Sequence, residues 1–293
     1  MNPKNALERS IGTLLSVSIR RGIRLTGRRV QPADWQWLQS PFGAKDAPIG
    51  AGFYEQLAAD EHLTVAPDPD AGLIPDFERL RSPDFNPDAV APLIREFYEH
   101  TARFQLEAWS EAALSTRMFL WTLTRFVSRS MNQLNFPVSA MELAGGMTST
   151  ILPMVDAAGN RRYTGWLRTL PAMNRVIYTG LYSVGTSGKY PHPCVKVSFP
   201  LPSGSATVFL RPEATGDGGF RLISKGRRPG DPGFYRMTAG SAGAVYVRYL
   251  QSLQEHFYLY LDAQQVLRCE HTVDFMGLRV LRLHYKIVRL TTA

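Results

Sequence analysis

Glu96, His100, Arg103 and Glu107 stand in the stretch REFYEHTARFQLEAWSE at spacings of four, three and four. On a helix those four side chains share one polar row. If that row is covered from water, a carboxylate beside a histidine becomes a tuned acid–base pair suited to proton transfer. Left in water, the same residues form a solvated face, with His100 meeting Glu96 and Arg103 meeting Glu99 and Glu107. Such pairs contribute about 0.2–0.5 kcal/mol each.

A second set of reactive types lies near the C-terminus, in VLRCEHTVDFMGLRVLRLHYKI. A two-residue turn at Met276-Gly277 sets Cys269 across from His284 and His271 across from Arg282. Cysteine beside histidine can form a nucleophile pair, although a buried structural cysteine is the plainer reading. One step of register slip would exchange every face. Glu270 and Asp274 alternate on the opposite face, where they are solvated or, pointing inward, need partners or shifted pKa values. The catalytic candidates are thus Glu96, His100, Glu270 and His284, with Tyr258 as a further acid–base group. Tyr178, Tyr182, Tyr258, Tyr260 and Tyr285 combine aromatic walls with polar tips suited to a mostly apolar ligand. With Arg282, the first four are the candidate binding residues, against the ordinary reading of strand tyrosines as core and surface.

The elements that must position these residues fall into two parts. Residues 1–145 read as helices joined by proline-rich loops, and residues 146–293 read as short antiparallel strands. Pro87 and Asp88 suit the first turn of a helix that runs through Arg95–Glu111. There Leu93, Phe97, Thr101, Phe104 and Ala108 form the core stripe. A second helix over Glu111–Asn132 is apolar nearly all round, which implies burial on several sides. Gly159-Asn160 marks a hairpin. Val176, Tyr178, Gly180, Tyr182 and Val184 then face one way. The expected fold is α+β: N-terminal helices packed on a C-terminal antiparallel β-barrel of the calycin or lipocalin type, or on a strongly curved sheet.

Composition excludes several classes. With 44% hydrophobic and 20% charged residues among 293, the chain is an ordinary globular protein able to bury a large core. Two cysteines, Cys194 and Cys269, rule out a disulfide scaffold or a four-cysteine zinc site. The six histidines are scattered without ligand spacing, so no metal is expected. GTSGKY is no P-loop, and no G-x-G-x-x-G opens a helix after a strand, so no cofactor is expected. The net charge of +8 is mostly arginine and reads as a basic surface, which ranks nucleic-acid binding below the other readings. The stretch Ile11–Arg24 is a short basic amphipathic helix that can dock on its own domain or on an anionic membrane. No apolar run spans a bilayer and no secretory signal opens the chain, so a cytoplasmic location is expected. The loop SKGRRPGDPGFYR gathers Lys225, Arg227, Arg228 and Arg236, which could capture a carboxylate or phosphate or form a solvated turn.

Four stretches carry a resemblance: FYEHTARF followed by a tryptophan, VSFPLPSG with TVFLRP, the SKGRRPGDPGFYR loop, and LRCEHTVDFMGLRVLRLHYKI. Together they resemble an uncharacterised bacterial protein family, similar in part to the C-terminal region of YndJ-like proteins. The resemblance covers most of residues 35–290 and implies no activity, so it transfers no functional residue. The functional expectation rests on the residues alone. It is a small apolar or amphipathic molecule held in a barrel cavity, with cyclase or isomerase chemistry that needs no cofactor. The alternative is a non-catalytic lipid-binding module held at a membrane surface by the Ile11–Arg24 helix.

Overall fold

The computed structural model describes residues 18, 21–44, 50, 52–66, 68–111, 147–171 and 175–290. Among the described residues, fourteen strands join in one sheet whose ladders are all antiparallel. Three come from the first part of the chain: β1 (Arg28–Val30), β2 (Thr64–Val65) and β3 (Phe104–Glu111). A meander follows, formed by β4 (Thr148–Val155), β5 (Arg161–Leu170), β6 (Arg175–Ser187), β7 (Tyr190–Leu201) and β8 (Gly204–Ala214). The remainder comprises β9 (Phe220–Ile223), β10 (Gly233–Ala239), β11 (Val245–Tyr249), β12 (Leu253–Leu261), β13 (Leu267–Phe275) and β14 (Leu278–Arg289).

The main path runs β2-β4-β5-β6-β7-β8-β9-β12-β13-β14-β3. At β8 the sheet forks, because its first half pairs with β10 and its second half with β9. The branch continues through β11 to β1. The path ends at β2 and β3, and among the described residues no ladder joins them.

This corrects the expected fold. It is not an α+β arrangement of N-terminal helices on a barrel, because strand dominates and the sheet is open. The stretch Arg95–Glu111 shows the physical reason. Its helix spans only Pro92–Glu99, and His100 breaks it at φ −135°, ψ 40°. After one 3-10 turn the chain extends, burying Phe104 and Leu106 while exposing Gln105, Glu107 and Trp109. Phe97, Thr101, Phe104 and Ala108 also satisfy a helical stripe, so the pattern alone is ambiguous. The free edge of β14 resolves it, because pairing there satisfies the backbone of β3 from Arg289↔Phe104 to Arg282↔Glu111. Except for Glu111 itself, the helix expected over Glu111–Asn132 lies outside the described residues. So does most of the Ile11–Arg24 helix, of which residues 18 and 21–24 are helical.

One face of the sheet, here the inner face, packs on the segment that follows β2. Phe220 of β9 meets Phe77 at 5.1 Å, Tyr98 at 5.4 Å and Phe85 at 5.6 Å. The cluster continues through Val197, Leu210, Leu222, Leu259 and Leu283. Gly72 admits this segment, since a Cβ there would lie 2.1 Å from the backbone carbon of Glu99. Two smaller clusters cover other parts of the sheet. Trp37 packs on Tyr235 and Phe209, while the Lys196 ammonium donates to the carbonyls of Trp37 and Gln39. Burial pushes Lys196 down to about 8. Tyr54, from the helix Gly52–Asp60, donates to the carbonyls of Trp166 and Gly180.

Candidate functional site

Strand alternation on β5 turns Trp166 and Arg168 to the inner face. The Arg168 side chain is only 5% exposed. Its guanidinium carbon lies 5.1 Å from the Trp166 ring centre and 5.2 Å from that of Tyr285 on β14. The Nε atom has no hydrogen-bond partner. On β6, the Tyr178 hydroxyl donates to Tyr182 at 3.1 Å, and both rings meet Trp166 edge-on at 5.6 Å. On β12 and β13 the odd-numbered positions join them. There Glu255 and His271 are 3.4 Å apart, and His271 stacks on Phe257 at 3.9 Å. The His271 Nε2 faces the Glu255 carboxylate without hydrogen-bond geometry, and no hydrogen-bond partner meets it among the described residues.

Desolvation dominates the titration of this cluster. Burial pushes the hydroxyls of Tyr178, Tyr182 and Tyr285 above their ordinary range. It pushes the Cys269 thiol up to about 12, against the opposing charge of Arg168. All four are therefore protonated donors near neutral pH. Next to the cluster lies a cleft of about 40 Å³. Its floor includes Leu73, Thr164 and Tyr182, and its rim carries Arg79, Arg161 and Arg162. Burial, and then the neighbouring Arg79, hold Arg161 below its usual value. Tyr182 thus belongs both to the cleft wall and to the aromatic cluster. The cleft carries three arginines at its mouth, and beside it the Arg168 guanidinium lies between aromatic rings.

The outer face of the same strands carries a second set. Register pairs align Arg221, Tyr258, Glu270, His284 and Trp109 across β9, β12, β13, β14 and β3. Arg282 donates to Glu270 at 2.9 Å and is the chief reason that the Glu270 carboxyl sits below its ordinary value. Tyr258 stacks on Tyr260 at 5.0 Å, lies under the Arg221 guanidinium, and donates to Asp217 at 2.8 Å. Hydrogen bonds from Thr215 and then Tyr258 lower Asp217 to about 2.

The structure brings together five of the expected residues, Tyr258, Tyr260, Glu270, Arg282 and His284, on this outer face. It separates the others. Tyr178 and Tyr182 are inside. Glu96 pairs with Arg289 of β14, whereas His100 Nδ1 meets Asp70 at 2.8 Å, so the helical row does not exist. Desolvation works against Asp70, but hydrogen bonds from Arg103 and His100 outweigh it and lower its pKa. The expected Cys269–His284 pairing also fails. The Met276-Gly277 turn forms and leaves Phe275 opposite Leu278, but a bulge between Val273 and Asp274 shifts the ladder. Cys269 then faces Tyr285, and His284 faces Glu270. Sequence reading missed Arg168, Glu255 and His271. A signal was present for two of them: Arg168 shares a strand face with Trp166 and Leu170, and Glu255 with Leu253, Phe257 and Leu259.

Fold and site together define an open, strand-rich antiparallel sheet with a guanidinium held among aromatic rings on its inner face. No family model matches the chain, and no solved structure matches it. It is similar to the uncharacterized membrane protein YndJ of Bacillus subtilis (strain 168), with 28% identity over 247 residues. That match takes in 83% of this chain and 42% of YndJ, so the chain spans less than half the length of this relative. Among the described residues no helix is long and apolar enough to cross a membrane.

Proposed function

We propose that the protein binds a small amphipathic molecule against the inner face of the sheet, with an anionic group of the ligand held by Arg168. The observation that carries this reading is the Arg168 guanidinium itself, 5% exposed, set between two aromatic rings and with Nε unpartnered. The Tyr285 hydroxyl that hydrogen-bonds the guanidinium is neutral; burying a charge beside neutral groups is costly, and an anionic ligand lowers that cost. Trp166, Tyr178, Tyr182 and Tyr285 give the ligand apolar walls and hydroxyl donors. The three rim arginines of the cleft raise the local concentration of anions. Glu255 and His271 are the acid–base groups on the same face. The chemistry this set supports is proton transfer without a cofactor, as in isomerisation or cyclisation. We also infer that the part of YndJ matched by this chain is its C-terminal region.

The test is native mass spectrometry of freshly purified protein beside its Arg168→Met variant. Wild type carries a bound acidic small molecule and the variant does not. Exchanging this buried charge for an apolar side chain of similar length leaves stability unchanged or raised, by about 1–4 kcal/mol at most. A ligand-free wild type, or a variant that keeps the ligand, overturns the proposal.

A further inference from the structure

The β13–β14 hairpin turns on Met276 and Gly277, at φ 53° and 81°. Two-residue turns of this hand favour asparagine or aspartate before glycine, because a short polar side chain tolerates positive φ and suits water. Methionine takes that position here, flanked by Phe275 and Leu278. The three are 73%, 40% and 70% exposed, in the order Met276, Phe275, Leu278. Neither turn geometry nor solubility accounts for three large apolar side chains at one tip.

A basic loop stands at the same end of the sheet. Ser224 donates its amide to Glu255 O, and Leu253 lies opposite Phe275. Two strand spacings, about 10 Å, therefore separate the start of loop 224–233 from the base of the apolar tip. In that loop the Asp231 carboxylate accepts from the amides of Arg227 and Arg228, which fixes the backbone and leaves Lys225, Arg227 and Arg228 exposed. Lys189, in the β6–β7 turn, donates its amide to Gly230 O and adds a fourth exposed cation. Arg279 beside the tip is paired with Asp274 at 3.1 Å. These three segments contain five cations, Lys189, Lys225, Arg227, Arg228 and Arg279, and two carboxylates, Asp231 and Asp274.

We propose that this end of the sheet docks on an anionic lipid surface, with Phe275, Met276 and Leu278 entering the bilayer interface and Lys189, Lys225, Arg227 and Arg228 meeting the headgroups. Apolar side chains beside a cationic loop match the interface of such a bilayer, which is apolar below and negative above. The proposal is independent of the interior site, since none of these residues touches Arg168 or its rings.

Flotation of the full chain with phosphatidylcholine vesicles, with and without phosphatidylglycerol, tests it. Wild type partitions about tenfold more strongly onto the anionic vesicles, and high salt weakens that partition. The double variant Met276→Asn/Leu278→Thr lowers the partition by about tenfold. Its melting temperature is unchanged or raised, because asparagine suits the positive φ, so unfolding cannot account for the loss. Arg227→Gln/Arg228→Gln weakens binding to anionic vesicles only. Full-length protein that ignores anionic vesicles, or a hairpin variant that binds like wild type, overturns the proposal.

Discussion

Strands β12, β13 and β14 show two versions of one chemical vocabulary on their two faces. Inside stand Glu255, His271, Cys269 and Tyr285; outside stand Tyr258, Glu270, His284 and Arg282. The outer carboxylates are held down by donors, Glu270 by Arg282 and Asp217 by Thr215 and Tyr258. The inner hydroxyls and thiol are pushed up by burial. Donors thus hold the outer carboxylates ionised, while burial keeps the inner tyrosines and the thiol protonated well into the alkaline range. Ion pairs that water screens are worth little on the outside, whereas on the inside each polar group must find a partner or await one.

The largest expected contrast is between two tryptophans. Trp166→Ala opens the inner cluster and costs about 3–5 kcal/mol. Trp109→Ala, 46% exposed on the outer face, stays within about 0.5 kcal/mol. Urea unfolding of the two variants measures both. Equal losses would break the distinction between the faces.

The alkaline response sharpens it next. The Cys269 thiol titrates near 9 when unfolded and at about 12 when folded. Between those values the unfolded chain has lost a proton that the folded chain keeps, so stability falls as pH rises. The contribution is on the order of 2–4 kcal/mol by the upper limit. Cys269→Ala flattens the decline of the urea midpoint from pH 9 upward, and a slope equal to that of wild type would remove burial as its cause.

The smallest effect belongs to the outer face. A double-mutant cycle with Glu270→Gln and Arg282→Gln returns a coupling of about 1 kcal/mol or less. Because the Glu270 pKa is depressed, this contribution is present above the ordinary carboxylate range and is lost as pH falls through the folded value. A coupling of several kcal/mol would mean that the outer pair is as dry as the inner one.

Much of the strand half was legible in the sequence, because alternation is local. The Gly159-Asn160 hairpin and the Met276-Gly277 turn form at the expected positions. The tyrosine and ionic residues of β12–β14 were also visible as candidates. Which of them would meet was not visible, since the Val273/Asp274 bulge moves every later pair by one position and leaves no mark in composition. The helical reading of Arg95–Glu111 failed for a related reason. Its apolar residues fit both periods, and the β14 edge that selects the strand lies some 180 residues away.

The sequence by itself determined the strand-rich second half and its tight turns. These depend on neighbours along the chain, through side-chain period and backbone torsion. Tertiary structure alone decided that the sheet stays open, that β3 completes its edge, and that Arg168 faces rings while Arg282 faces solvent. Those outcomes depend on which distant strand satisfies a backbone and which face loses its water, and contacts across long sequence separations set both.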